Sequence, residues 1–302
     1  MGKYGLFLGC NLPAIRPDVE RAFRLTWPAL GVELVDLEGY SCCPGYGTFP
    51  ASDEDASLAV SARNLAIAEE KGLDCLVQCG SCYSVMRHAK HNIEHGEGKK
   101  EKINEILKAS DRQYNCKSTT RHMIDVMYNE VGAEKIRSSL KHTLEGMTVA
   151  VQYPCHVLWP SDVMGFDDPR DPHMLREIIE AMGAKVPRYS REFQCCGGAG
   201  GFAARNHAPA VAFAKRKFSA MREEVKPDFI VVSCITCLMW MDKTQNEFGD
   251  DWGPKGYNIP VFDMNQLLAI CMGFDPKEVA SISVQPKDKV IERILKAPVA
   301  QI

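Results

Sequence analysis

The chain has 302 residues, of which 45% are hydrophobic and 25% charged, a globular composition that excludes disordered, collagen-like and low-complexity classes. A formal charge of −3 supplies no basic field for nucleic acid or an anionic membrane surface. The longest uncharged apolar run, Phe229 to Met241, has 13 residues and is too short to insert across a membrane, and the stretch Met1 to Cys10 has no signal-peptide pattern, so a cytoplasmic protein is expected.

In chain order, the apolar run Tyr4 to Leu8 predicts a buried strand, and Val19 to Leu30 a helix. Gly31 stops that helix and leads into a second strand. A glycine-bearing loop, Pro44 to Gly47, precedes a long helix from about Glu54 to Lys71 and a third strand, Cys75 to Gln78. The charged stretch His88 to Arg112 predicts an extended helix and connector, exposed from Glu94 to Arg112, and Lys135 to Glu145 a crossing between halves. The same succession then returns. Thr148 to Val151 predicts a strand, His173 to Met182 a helix, and Gly183 to Pro187 a second strand. Gly197 to Gly201 forms the loop, Ala208 to Val225 the long helix and Phe229 to Ser233 the third strand. Each half closes on a shared pattern, Met123 to Gly132 against Met264 to Gly273. Alternating strands and helices imply parallel sheets with crossover helices. The predicted fold is therefore α/β, two pseudo-symmetric Rossmann-like domains over residues 1–145 and 146–302. The tail after Gly273 lies outside the repeat, and its Val290, Ile291, Ile294 and Leu295 have helical spacing suited to packing on the chain itself or on a partner.

Cysteine is the abnormal count. Thirteen thiols in a reducing compartment point to metal ligands or catalytic groups rather than a disulfide framework. Ten of them form two sets: Cys10, Cys42, Cys43, Cys79 and Cys82, then Cys155, Cys195, Cys196, Cys234 and Cys237. Matched members are offset by 145 to 155 residues, which marks an internal duplication. All ten fall at or just past the carboxyl ends of predicted strands, where sites form in parallel sheets. Zinc takes four ligands in a tetrahedron, so five sulfurs per set are one too many for a mononuclear site. A vicinal pair serves one centre only if the backbone bends, for which the following glycines give freedom. A multinuclear iron–sulfur centre accepts ligands from several directions; zinc in one half is the minor alternative.

The remaining signals are weaker. Gly197 to Gly201 misses the dinucleotide pattern because Ala203 stands at its final position. Cys75 is a small buried hydrophobe of a strand, and Cys116 and Cys271 have no repeat partner and read as structural. His156 adjoins a site cysteine and suits a packing role or proton donation to sulfur. Arg205 is a lone cation after the glycine loop, solvated unless an anionic ligand meets it.

Two copies of a single cysteine, a cysteine pair followed by Pro44 or Gly197, and a Cys-x-x-Cys resemble the cysteine-rich CCG domain. Two such domains and little else, from Tyr4 to about Gly273, resemble the B subunit of heterodisulfide reductase. That resemblance implies that each five-cysteine set holds a non-cubane [4Fe–4S] cluster, Cys10, Cys42, Cys43, Cys79 and Cys82 one and Cys155, Cys195, Cys196, Cys234 and Cys237 the other. It implies reduction of the coenzyme M–coenzyme B mixed disulfide in one-electron steps, the reacting atoms being irons of the clusters. It also implies partners: the ferredoxin-like C subunit, the flavin-containing A subunit, and a hydrogenase or formate dehydrogenase. The chemistry agrees, since two one-electron centres match a substrate with two nearly equivalent sulfurs. The competing readings are an electron-relay protein, a related reductase for another disulfide or sulfur compound, and a zinc-stabilised interaction module.

Overall fold

The computed structural model describes residues 2–249 and 258–297. Lys3–Phe7 (β1), Glu33–Asp36 (β2), Cys75–Val77 (β3) and Thr120–His122 (β4) form one sheet in the order β2-β1-β3-β4, parallel throughout. Val149–Gln152 (β5), Phe229–Val232 (β6) and Val261–Asp263 (β7) form a second parallel sheet in the order β5-β6-β7. The strands β3, β5, β6 and β7 are buried throughout, as expected where helices cover both faces of a parallel sheet. The α/β class and its duplication stand as predicted.

Helices begin where local chemistry starts them. Pro17–Ala29 opens on a proline whose missing N–H costs nothing in the first turn, and Asp18 and Glu20 complement the dipole there. Glu54–Glu70 is capped by Asp53, whose carboxylate accepts from the Ala56 amide at 2.9 Å. The charged stretch does not form a single helix: Gly80–His95 ends before Gly96, and Gly98, at φ +64°, starts Lys99–Leu107. Ile103 and Leu107 are buried on that otherwise mostly exposed segment.

One predicted strand shrinks. Gly183 to Pro187 yields a single bridge, Thr148 to Lys185, where Val149 N donates to Lys185 O at 2.8 Å and Lys185 N to Met147 O at 2.9 Å. The next rung of a parallel ladder needs the amide of residue 187, and proline has none. The second repeat is therefore a three-stranded sheet with a vestigial fourth strand.

The repeats exchange their closing helices. Met264–Cys271, of the second, packs on Pro17–Ala29 of the first. There Trp27 Nε1 donates to Asn265 Oδ1 at 2.9 Å and Gln266 Nε2 to Asp18 Oδ2 at 2.7 Å. Reciprocally, the helical run Met123–Val131 packs on Met174–Ala181, where Tyr128 donates to Glu177 at 2.7 Å. Buried apolar residues of both repeats join in one continuous core. The tail helix Asp288–Lys296 adds to it by burying Val290 and Ile294, while Leu295 stays exposed. The end of the expected tail, residues 298–302, lies outside the described residues.

Candidate metal centre

Six of the ten cysteines are placed by the end of a strand. Cys10 follows β1 and begins the turn into Asn11–Ile15; Cys155 follows β5 and opens Cys155–Leu158. Cys79 and Cys234 occupy the positions before Gly80–His95 and Ile235–Thr244, so Cys82 and Cys237 fall in the first turn of those helices. A Cys-x-x-Cys set this way puts both sulfurs at the positive end of a helix, which favours thiolate. The vicinal pairs lie in the loops after β2 and after the Lys185 bridge.

The fold gathers these ends into one array. Cys10 contacts Cys42, and Cys42 contacts Cys43; Cys43 Sγ lies 3.2 Å from Cys82 Sγ, which contacts Cys79. In the second repeat Cys155 contacts Cys195, Cys195 contacts Cys196, and Cys196 Sγ lies 3.3 Å from Cys237 Sγ. Cys237 contacts Cys234. The two sets meet at Cys79 and Cys234, whose thiols interact; a Cβ on Gly80, next to Cys79, would stand 3.7 Å from Cys234 Sγ. All ten predicted ligands thus form one string, 10-42-43-82-79 followed by 234-237-196-195-155, and the order is palindromic with respect to the repeat.

Protons on this string are shared. Cys43 is pushed down to about 4 because Cys42 and Cys82 hydrogen-bond its thiolate, and Cys195 down to about 2 by Cys155 and Cys196. Cys79 is lowered by Cys234 and Cys82. Their neighbours are raised in exchange: Cys42 by Cys43, Cys155 by Cys195, and Cys196, up to about 12, by Cys195. A row of thiols of which half are buried therefore ionises only in alternation, and full deprotonation calls for cationic partners. Among the described residues, no three His, Cys, Asp or Glu side chains close around one point that a single metal ion could occupy. The sulfurs run in strings instead. A donor set of five thiols per repeat, spread out in this way, fits a multinuclear iron–sulfur group better than mononuclear zinc.

Several residues that frame the array carried no sequence signal. Gln78, just before Cys79, reaches into the second repeat: its Nε2 donates to Asp263 Oδ2, and its Oε1 accepts from the Ile235 amide at 3.0 Å. The His122 ring bonds Gln78 O at 3.1 Å, and burial lowers its pKa to about 4, leaving the imidazole neutral. Burial raises Asp263 to about 6. These groups lock the two Cys-x-x-Cys strands together.

Above the array the two cysteine-pair loops converge. A Cβ on Gly200, at φ +68°, would stand 3.1 Å from Tyr46 O, and one on Gly47, at φ +96°, 3.6 Å from Gly200 O. Only glycine allows both the backbone conformation and this approach. The Tyr46 ring lies 4.0 Å from that of His156, so the histidine beside Cys155 is a packing partner across the repeats. Burial lowers its pKa. A cavity of about 380 Å³ lined by Tyr46, Gly47, Leu58, Val85 and His88 opens beside this pair.

The other sequence candidates stay apart. Cys75 and Cys271 are buried, with thiols raised by burial. Cys116 is half-exposed in a left-handed turn, φ +65°, where Lys90 bonds its carbonyl. Arg205 is exposed at the end of Phe202–Arg205.

Fold and sulfur array together define a protein of two cysteine-rich domains. The cysteine-rich domain (CCG) family matches the chain twice, over residues 4–87 and 149–242. The chain is 45% identical to a heterodisulfide reductase B-subunit-like protein of Archaeoglobus profundus, over 98% of this chain and 99% of that one. It is 33% identical to the B subunit of the ferredoxin/F(420)H(2)-dependent CoB-CoM heterodisulfide reductase of Methanosarcina acetivorans, over 92% of each. A crystal structure of a hypothetical protein from Helicobacter pylori shares the fold, with a TM-score of 0.70 at 16% identity; it is covered over 94% of this chain and 52% of its own length, so this chain spans about half of it. The chain belongs to the heterodisulfide reductase B-subunit family, whose members support assignment as an iron–sulfur oxidoreductase. No described helix is long and apolar enough to cross a membrane.

Proposed function

We propose that the chain is the disulfide-reducing member of a heterodisulfide reductase complex, acting on the mixed disulfide of coenzyme M and coenzyme B. The observation that carries this reading is the palindromic sulfur string joined at Cys79 and Cys234. In this reading each repeat, 1–145 and 146–302, holds one non-cubane [4Fe–4S] cluster. Cys10, Cys42, Cys43, Cys79 and Cys82 ligate one cluster, and Cys155, Cys195, Cys196, Cys234 and Cys237 the other. When bound, the clusters supply electrons one at a time; R–S–S–R′ with two electrons and two protons gives RSH and R′SH. Two matched centres meeting on a pseudo-twofold axis suit a substrate whose two sulfurs each take one electron.

The chain's own residues shape access. Tyr46 and His156 roof the join between repeats, and the adjacent cavity offers the apolar walls of Leu58 and Val85 with the polar edge of His88. Cys10 and Cys42 are the two exposed members of the array, so the ferredoxin-like C subunit docks at that end of the string and receives its electrons from the flavin-containing A subunit. The complex works in the cytoplasm.

Anaerobic quantitation of iron, sulfide and zinc on the purified complex tests this, combined with electron paramagnetic resonance and disulfide reduction by a reduced viologen. Two iron–sulfur clusters per chain, a low-spin signal that responds to added thiol, and turnover of the mixed disulfide are expected. Clusters insensitive to thiol, without turnover, identify an electron relay instead. Stoichiometric zinc without iron overturns the assignment.

A further inference from the structure

The two repeats hold their cysteine pairs with different charges. Asn64 and Lys217 are 153 residues apart, the spacing that also separates Cys42 from Cys195 and Cys43 from Cys196. Both lie on the helix that follows the pair, Glu54–Glu70 or His207–Ala220, and both are fully buried. Each fastens the backbone leading to its cysteines. Asn64 Oδ1 accepts from Ser41 N at 2.9 Å and from Ser41 Oγ at 3.3 Å, directly before Cys42. Lys217 Nζ donates to the carbonyls of Arg191, Glu192 and Gln194 at 2.6, 2.8 and 2.7 Å, directly before Cys195. The task is the same, done by a neutral amide in one repeat and by an ammonium in the other.

The ammonium has no freedom to leave. Its three N–H groups are spent on three carbonyls, and the Tyr189 ring packs over it at 5.5 Å. Three carbonyl acceptors call for three N–H donors, which only the charged ammonium has. Glu192, the nearest buried carboxyl in the same loop, is held by Arg188 at 3.4 Å. In the first repeat Arg63, beside Asn64, is half-exposed and bonds Gly39 O at 2.9 Å, where solvent screens it.

We propose that Lys217 is a positioning residue that makes the two cysteine sets electrostatically unequal. The cluster of the second repeat then has the more positive reduction potential and takes the first electron. This rests on the reading that each set holds an iron–sulfur cluster. Reduction adds one negative charge to a cluster, and a fixed cation in a low-dielectric interior stabilises that state. The amide of Gly197, donating to Cys195 Sγ at 3.2 Å, acts in the same direction, and its counterpart Pro44 has no N–H to offer; the amide of Gly198 on Cys196 is matched by that of Gly45 on Cys43. Electrons arriving at the exposed Cys10–Cys42 end therefore pass downhill to the second repeat.

The test is an anaerobic redox titration followed by electron paramagnetic resonance on the full chain in its complex, with Cys43→Ser used to assign each signal to a repeat. In the unsubstituted protein the two midpoints are separate, that of the second repeat being the higher. Lys217→Gln keeps a side chain able to donate to the loop and removes the charge. Its second-repeat midpoint moves negative and the gap narrows, with iron and sulfide per chain unchanged. Asn64→Asp keeps the acceptor for Ser41 and adds a negative charge. Its first-repeat midpoint moves negative and the gap widens. Two loaded clusters whose midpoints ignore both substitutions overturn the inference alone. Should Lys217→Gln fail to load its cluster, Asn64→Asp decides the question: a wider gap supports it and an unchanged gap overturns it. An unsubstituted complex without iron–sulfur centres overturns the underlying reading, and this inference with it.

Discussion

The first repeat builds four strands, leaves Cys10 and Cys42 exposed, and secures its cysteine pair with the neutral Asn64. The second builds three strands and a bridge, half-buries Cys155 and Cys195, and secures its pair with the buried Lys217. Ten cysteines were kept in matching places while the scaffold around them diverged. A duplicated site with identical donors can thus be made unequal by burial and by fixed charge, without touching a donor. Under the proposed function, that division suits a chain whose one end meets a protein partner and whose other end holds an electron.

The largest effect that can break this comparison comes from the ligands. Cys10→Ser, Cys43→Ser and Cys82→Ser each remove thiolate donors from one set only, so iron and labile sulfide fall by about half while the other cluster remains. Cys196→Ser and Cys237→Ser do the same for the other set. Metal analysis of the anaerobically purified complex reads the result. Full retention of both clusters in the first three variants would refute the assignment of that set.

Next comes the exchange of closing helices. Trp27 and Ile179 are both fully buried at the two reciprocal contacts, and truncation to alanine costs about 4 kcal/mol for the tryptophan and about 3 kcal/mol for the isoleucine. Because one core runs through both repeats, each variant melts as a whole. Calorimetry that finds one repeat melting alone would show the exchange to be weaker than the packing implies.

A smaller, pH-dependent effect distinguishes the groups under the string. His122 titrates near 4 in the folded chain, against an ordinary value of about 6.5, so the unfolded chain binds the extra proton between those values. The associated stability, about 3 kcal/mol, is complete above pH ~6.5 and is lost as the pH falls toward 4. Asp263, raised to about 6, works the other way, its contribution present at low pH and lost as the pH rises through 6. In His122→Gln the loss on acidification disappears and the Asp263 trend remains. Urea midpoints at pH 4.5 and 7 measure it; an unchanged acid loss in the variant points to other groups.

Periodicity and cysteine spacing were enough to read the duplication, the α/β class and the helix that follows each cysteine pair, because these depend on local pattern. The strands β4 and β7 went unread. Each has only three residues and, with Arg121 or Asp263 among them, lacks the unbroken apolar run that disclosed the equally short β3. The second strand of the second repeat was read as longer than it is, since a single proline decided how many rungs could form.

By itself, then, the sequence determined which ten thiols act together and where along the strands they emerge, since both follow from spacing and from the chain's alternation of strand and helix. Only the tertiary structure decided that the two sets form one string through Cys79 and Cys234, that Gln78 and Asp263 clasp them, and that Lys217 and Asn64 answer one another. Those relations join residues as much as 185 positions apart. They depend on how two sheets pack, and no local signal encodes which buried amide or ammonium a strand end will meet.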